Sequence, residues 1–391
     1  MNKIVLLNCY LGRLPWYFDF FLKSCETNPT IDFIIFSNDE KKRDIPQNVK
    51  LVKFSIEAFN LLASQKLNLD IKIANAYKIC DFKPAFGIIF QDEISNYDFW
   101  GVCDIDLVFG RIREFMTDDL LDNYDVISVK DSFPSGYFLL FRNSTTVNHL
   151  YEKSKDYAYI FTSNENYCFD ECGGAYDDVV LGKNILETST KTESIHHVLI
   201  KEQNNIRVHF DLFIIEGTPG KIKWENGILS YKDEYEVLLY HFSCYKNNIF
   251  STIKKWKNIP KSYYIDKYNI RKNSNWGISA KWTDCVKPNL RNYLFKMDML
   301  CSKFFKAKVI PDLETGQYSY MNRHIFIGKN IKKQNYLYYE DIDYQYDLIK
   351  MSLHKNYFFN KSTKQYYKNE KNSFSEVFLD GNIIKYTKSI N

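Results

Sequence analysis

No stretch of 18 consecutive apolar residues occurs in the chain, so its sequence predicts no helix able to span a bilayer. The opening residues, Met1-Asn-Lys-Ile-Val-Leu-Leu-Asn-Cys-Tyr10, hold too short an apolar stretch for a secretory leader and read as a first strand. Paired cysteine spacing is missing as well. Nine cysteines, an odd number, fit reduced thiols in a cytosol rather than a disulfide framework. Cys168 and Cys172 have His196 and His197 downstream, a spacing that matches no common zinc pattern. Glycine-rich phosphate loops are absent too: no GxGxxG follows the first strand, and no GxxxxGK[ST] occurs. A protein that binds phosphates without such a loop needs another anchor for them, and a metal ion is one.

Aromatic residues are plentiful, with 30 Tyr and 30 Phe among 391 residues, enough for a substantial core. That length suits one large domain plus a smaller one, or two of medium size. Charge is divided unevenly. Residues 1–250 hold 26 Lys and Arg against 36 Asp and Glu, whereas residues 251–391 hold 26 against 12. An acidic front and a basic, Tyr-rich back suggest an anionic partner surface such as a membrane leaflet, a lipid diphosphate or nucleic acid. Trp256, Tyr263, Tyr264, Trp276 and Trp282 are interleaved with those lysines, and Trp and Tyr favour the headgroup zone. The plainer reading is a basic face that only keeps the protein soluble.

The first 130 residues alternate strand-like and helix-like patterns, which argues for an α/β layer fold with a largely parallel sheet. Strands are expected at Lys3–Asn8, Ile31–Phe36, Val49–Phe54, Phe99–Val102, Asp125–Val129, Tyr137–Phe141 and Val237–Phe242. Helices are expected at Trp16–Cys25 and Ala85–Ile94, with one or two more over Ile56–Ile79. Beyond about 255 the composition shifts to Lys, Asn and Tyr, with 255–310 read as helical and 311–391 as short strands and turns. The domains drawn from these patterns are 1–254 and an accessory region, 255–391.

Asp104-Ile105-Asp106 closes an apolar run, with Phe99, Trp100 and Val102 before it and Leu107, Val108 and Phe109 after it. Residues i and i+2 of a strand share a face, and at a strand end, where the chain turns, such a pair can hold one hard cation and leave coordination sites for a diphosphate. A bare Asp-x-Asp is most often a solvated loop; the apolar frame argues for a pocket instead. Ligands of open α/β sheets sit at the carboxyl ends of the strands. Two further groups fall there: Asn8-Cys9-Tyr10, where Tyr10 can stack on a base, and Ser37-Asn38-Asp39. Asn8 and Asp39 can hydrogen-bond base or ribose, though each also serves as an ordinary loop residue. Lys83, before Pro84 at an expected helix start, can serve a phosphate or a sugar hydroxyl. His241 at a strand end can offer a ring nitrogen to a borderline metal such as Mn²⁺, with Lys246 nearby to neutralise a leaving diphosphate. Catalytic carboxylates can come from Asp170-Glu171 or Asp177-Asp178, on either side of Gly173-Gly174. For each of these the structural alternative is a capping or surface residue.

The order of these features resembles nucleotide-sugar glycosyltransferases of the GT-A fold. Asn8-Cys-Tyr-Leu-Gly-Arg-Leu-Pro-Trp16, Asp81-Phe-Lys-Pro84 and Asp98-Phe-Trp-Gly-Val-Cys-Asp-Ile-Asp-Leu-Val-Phe-Gly110 resemble a little-characterised family of bacterial surface-polysaccharide enzymes. More loosely, the chain is similar to the glycogenin and lipopolysaccharide-galactosyltransferase family, through Asp104/Asp106, Ser135-Gly136-Tyr-Phe-Leu-Leu140, Tyr176-Asp-Asp-Val-Val-Leu181 and His241-Phe-Ser-Cys-Tyr-Lys246. It departs from that pattern where Asp177-Asp178 lacks an amide between its acids and where no Lys-Pro-Trp follows His241. The resemblance covers roughly residues 1–250. It implies a GT-A-like, Rossmann-like mixed sheet flanked by helices, with a C-terminal helical or mixed accessory region. It further implies a cytoplasmic, metal-dependent transferase acting for capsule or lipopolysaccharide. Asp104, Asp106 and His241 would hold Mn²⁺ or Mg²⁺ against a nucleotide-sugar donor, with a glycan or lipid-linked glycan as acceptor. Peripheral contact with an anionic membrane fits the basic end, and no nucleic acid is expected as partner. The rivals are a nucleotidyltransferase acting on sugar phosphates, which would want a basic, Gly-rich loop, and a non-enzymatic binding module for acidic glycan or nucleic acid, which gives the acid pair no role.

Overall fold

The computed structural model describes residues 1–211, 213–215, 222–231, 233, 235–247, 251–256, 258–266 and 269–272, and beyond them the strands 323–330, 336–342, 357–360, 365–368, 373–379 and 383–389. Two compact units divide the chain: Met1–Ile214 with Leu238–Tyr240 and Lys255–Ile259, and Ile215–Val237 with His241–Lys254 and Pro260–Asn391.

The first unit is α/β, and its mixed sheet of seven strands is flanked by helices, the architecture expected from the sequence. Its strands are β1 (Ile4–Tyr10), β2 (Ile31–Ser37), β3 (Val49–Lys53), β4 (Phe99–Cys103), β6 (Val126–Ser128), β7 (Phe138–Arg142) and β8 (Val208–Phe210), in the order β3-β2-β1-β4-β7-β6-β8; a short β5 (Leu107–Phe109) lies outside it. β1 runs parallel to β2 and β4, while β7 is antiparallel to both β4 and β6. The parallel strands are apolar on both faces because helices cover both: Val5, Leu6 and Leu7 of β1 and Phe33 and Ile35 of β2 are all fully buried. Helix α1 (Phe18–Glu26) buries Phe18, Phe21, Leu22 and Cys25 at helical spacing. Helix α2 (Ile56–Leu67) starts at Ser55, whose side chain caps Ala58 N, and ends at Asn68 in the left-handed conformation (φ 53°). Trp100 stacks on Phe141 with ring centroids 4.4 Å apart, and its indole N–H donates to Asn148.

Of the one or two helices expected over Ile56–Ile79, α2 stops at Leu67, and a 3₁₀ helix covers Ala76–Ala85. Three expectations are corrected. The helix expected over Ala85–Ile94 is two short pieces, Phe86–Ile89 and Gln91–Ile94. Lys83 therefore lies in the last turn of the 3₁₀ helix, where Pro84 is tolerated because the chain is about to change geometry. Where residues 255–310 are described, they form strands, Ser262–Ile265 and Ile270–Arg271, instead of helix; the rest of that range, with Trp276 and Trp282, lies outside the described residues.

The second unit is built from antiparallel strands. Ile222–Glu225 and Ile228–Tyr231 make a hairpin through Asn226 (φ 49°) and Gly227 (φ 90°), the left-handed pair that a tight two-residue turn requires. Ser262–Ile265 pairs on its other side, stacking Tyr263 on Trp224 at 5.3 Å. Strand 323–330 joins Tyr235–Glu236 to 336–342, and 357–389 carries a four-stranded meander. Among the described residues no helix is long and apolar enough to cross a membrane.

A pH dependence follows from His196, on the buried face of helix Ile195–Lys201. Burial, helped by neighbouring His197, pushes its pKa down to about 4. Its Nδ1 has no hydrogen-bond partner among the described residues. Between the unfolded value near 6.5 and about 4, the unfolded chain binds the extra proton. This contribution to stability is therefore intact above pH about 6.5 and is lost as pH falls through that window. His196→Phe should flatten the acid limb of a pH–melting curve, whereas an unchanged limb would remove His196 as its source.

Candidate active site at the end of β4

The acid pair sits in the turn that joins β4 to β5, at a strand end where the chain turns, as expected. All five residues of β4 are buried. At Gly101 a Cβ would come within 2.5 Å of Leu140 Cδ2 and 2.6 Å of the Leu139 carbonyl, so a glycine lets β4 and β7 close on each other. Ile105, 3% exposed, plugs the turn into the core between the two acids. Asp104 is about one-third exposed at its side chain (34%), while Asp106 is buried.

Lys83 reaches this turn from the 3₁₀ helix. Its ammonium donates to Asp104 Oδ1 at 2.9 Å and to the Gly136 carbonyl at 2.6 Å, and lies 3.5 Å from Asp170 Oδ2. Burial disfavours the Lys83 charge, but Asp104, Cys80 and Asp170 outweigh it and hold its pKa well above the ordinary lysine value. Asp170 is buried too. Burial, with the charges of Glu171, Asp81 and Asp104, raises its carboxyl pKa well above the usual range, and Lys83 opposes the shift without cancelling it. One ammonium thus serves several carboxylates in a desolvated place, the kind of perturbation that concentrates at functional sites.

Gly136 is the hub. Its carbonyl accepts from Lys83 and its N–H donates to Glu171 Oε1 at 3.2 Å, while Glu171 Oε2 accepts from the Tyr176 hydroxyl at 2.5 Å. A Cβ at Gly136 would lie 2.1 Å from Asp170 Oδ2.

Asp170 is delivered by a loop held from beneath. Fully buried Asp81 accepts Tyr167 N–H at 2.9 Å and Phe169 N–H at 2.8 Å, and pairs with buried Lys78 at 2.7 Å. Its two bonds bracket Cys168, which adopts the left-handed conformation (φ 51°) uncommon for such a residue. Lys78 also donates to the Glu165 carbonyl at 2.5 Å. Asp81→Ala strands a buried ammonium, so a loss of about 3–5 kcal/mol is expected in denaturant unfolding; a loss below about 1 kcal/mol would show that the pair does not hold the loop.

Of the other sequence-derived candidates, Asn8 donates through Nδ2 to the Cys103 carbonyl at 2.6 Å, and its buried Oδ1 has no hydrogen-bond partner among the described residues. Tyr10 ends β1, half-buried. Asp39 accepts from Leu14 N, Lys41 N and the Arg43 guanidinium; led by the Lys41 N–H, these contacts lower its pKa and tie the loops after β1 and β2 together. Asp177 and Asp178 stand in the first turn of helix Tyr176–Val180, and Asp178 pairs with Lys183 at 2.7 Å. Lys246 is exposed on helix Ser243–Asn247 of the second unit. His241 ends the strand Leu239–His241, whose first two residues belong to the first unit; just before it, the Leu238 carbonyl accepts from Gly110 N–H at 2.7 Å, beyond β5. Asp104, Asp106 and His241 each offer a ligand atom, all within 4.8 Å of one another, so this group could hold a metal ion. Two carboxylates and one imidazole form a donor set suited to a hard or borderline divalent ion. Sequence reasoning missed Asp81, Gly136 and Tyr176 as parts of the site. Asp81 lies two residues before Lys83, and Gly136 follows Ser135 in a segment read only for its order.

The chain belongs to a family of unknown function (DUF6625), which it matches over residues 6–274. No curated protein matches it. Among solved structures it is similar to galactosyltransferase LgtC in complex with donor and acceptor sugar analogs (10% identity, 55% of this chain and 76% of that one, TM-score 0.29). Mouse xyloside xylosyltransferase 1 is similar at 11% identity over 62% of this chain and 98% of that one, with TM-score 0.36. The glycosyltransferase GlyE of Streptococcus pneumoniae TIGR4 is similar at 10% identity over 54% and 45%, with TM-score 0.26.

Proposed function

We propose that this protein is a metal-dependent glycosyltransferase, moving a sugar from a nucleotide-sugar donor, with uridine as the favoured base, to a glycan or lipid-linked glycan of capsule or lipopolysaccharide. The observation that carries this reading is the grouping of Asp104, Asp106 and His241 at the end of a central strand, beside buried Lys83. Mn²⁺ or Mg²⁺ held there would supply Lewis acidity to a departing nucleotide diphosphate. The chain's own groups do the rest. Asn8 and Tyr10, at the end of β1, contact base and ribose, with Asp39 closing the loop behind them. Lys83 offsets negative charge between the acid pair and Asp170, and Lys246 meets the leaving diphosphate. In an inverting reaction Asp170 or Glu171 takes the proton of the acceptor hydroxyl. In a retaining one Asp177 or Asp178 stabilises charge at the anomeric carbon. The proposed setting is the cytoplasm, with residues 255–391 an accessory region that docks on an anionic leaflet. The charge asymmetry of the chain supports that docking, and vesicle co-sedimentation that is insensitive to salt and lipid charge would refute it.

The test of the reading is thermal stabilisation by a panel of nucleotide sugars with Mn²⁺ and with EDTA. Binding at a hundred times Kd stabilises by about 2.7 kcal/mol, a shift of a few degrees for a domain of this size. One nucleotide sugar should give it with metal only, and His241→Ala should diminish it more than it lowers the unliganded melting temperature. Product masses showing transferred nucleotide instead of sugar would replace the reading with nucleotidyl transfer.

A further inference from the structure

Tyr77 (67% exposed) and Tyr159 (60% exposed) are the two aromatic side chains left open to solvent among the described residues up to 272, in a part of the chain rich in buried rings. They are not scattered. The segment 74–78 is stitched to the segment 159–167: Ala74 N–H donates to Asn164 Oδ1 at 2.8 Å, Lys78 donates to the Glu165 carbonyl, and the Lys78 ammonium lies 5.0 Å from the centre of the Tyr167 ring. Tyr159 is tied to the same place, its ring 5.7 Å from that of Tyr167 and its hydroxyl 3.0 Å from the Tyr167 hydroxyl. From Tyr167 the chain runs, held by Asp81, directly into Asp170 and Glu171; burial first, then Cys80, Cys168, Asp170 and Glu171, push the Tyr77 hydroxyl up to about 12. Tyr77 and Lys83 lie six residues apart on one 3₁₀ helix, about 12 Å at the rise of that helix.

We infer that Tyr77 and Tyr159 form a stacking surface for the acceptor glycan, leading to the carboxylates Asp170 and Glu171. This rests on the transferase reading and deepens it. A sugar ring presents an apolar face of C–H groups and a rim of hydroxyls; tyrosine presents a flat ring with a negative face and a polar tip. Two rings exposed on adjoining segments can be covered by a carbohydrate without a deep pocket. Tyr167, Phe169 and Asp170 are buried, so the two rings flank the loop that delivers Asp170, and a glycan resting on them lies beside that loop.

The experiment uses the full chain, fluorescently labelled, on a microarray of bacterial and eukaryotic oligosaccharides, beside the thermal shift of the wild type with UDP and Mn²⁺. Wild type should bind a restricted set of glycans. Tyr77→Ala and Tyr159→Ala should each weaken that binding about tenfold, as expected when one stacked ring is lost. The corresponding Phe variants, which keep the ring, should retain most of it, and melting temperatures should stay near wild type because both rings are exposed. No glycan binding by wild type, or binding that survives both Ala substitutions, overturns the inference. A UDP and Mn²⁺ shift with no glycan binding would sink the stacking surface alone. Glycan binding lost in the Ala variants but without any nucleotide shift would keep the surface and sink the transferase.

Discussion

Under the proposed transferase reading, Asp104→Asn and Asp106→Asn are each expected to reduce turnover by at least a few hundredfold while leaving the fold intact. Each substitution keeps the size of the side chain and removes one charged oxygen ligand from the group within 4.8 Å that includes His241. A metal acting as Lewis acid is worth several kcal/mol in the transition state, and every 1.36 kcal/mol is about tenfold in rate. The two variants should differ in a second respect. Asp104 is one-third exposed, and buried Lys83 keeps the Gly136 carbonyl and Asp170 as partners when its charge is removed. Asp106 is buried, and its amide has to be accommodated without water. Asp106→Asn should therefore lower the melting temperature more than Asp104→Asn, although both remain folded by far-UV circular dichroism. Turnover in excess Mn²⁺ is the measurement, and a variant with wild-type turnover would remove the acid pair from the chemistry.

Much of the sheet was legible because its strands carry a local signal. β1, β2 and β4 are buried on both faces, so each is a nearly unbroken apolar run that ends close to the expected boundary. The acid pair was legible for the same reason: two charges closing such a run stand out. The 3₁₀ helix over Ala76–Ala85 was not, since its i→i+3 geometry leaves no 3.6-residue periodicity to read. Nor were the roles of Asp81 and Gly136. Asp81 binds backbone N–H groups 86 and 88 residues away, and Gly136 meets Asp170 and Lys83, both far along the chain. Contacts of that kind leave no mark in spacing. The turn after β4 was legible from the same apolar run, because the run stops at the two acids and resumes at Leu107, which marks a strand end and a new short strand.

Gly136→Ala carries the other large effect, and it isolates the close approach of Asp170 from every other feature of the site. Gly136 is not among the residues with positive φ, so alanine meets no backbone penalty there. The penalty is steric. The new methyl would sit 2.1 Å from Asp170 Oδ2 and 2.8 Å from its Cγ, distances at which one side must move. Backbone on the Gly136 side is pinned by the carbonyl bond to Lys83 and the N–H bond to Glu171, and on the Asp170 side by Asp81 through Phe169. Overpacking of this kind costs about 1–3 kcal/mol, and a displacement near 1 Å in a reacting group lowers rate by about a hundredfold. Gly136→Ala should thus lose stability and, if Asp170 works at the reacting centre, most of the turnover. Asp170→Ala removes the two atoms that collide and leaves Glu171 Cγ, 3.3 Å from the new methyl, as the remaining near contact. In that background Gly136→Ala should cost markedly less in chemical unfolding, a coupling within the roughly 0.5–3 kcal/mol seen for residues in contact. Strict additivity of the two substitutions would mean that the methyl finds room elsewhere and that Gly136 does not hold Asp170 in place. Because this comparison is read from stability alone, it stands whichever sugar, or whichever reaction, the site serves.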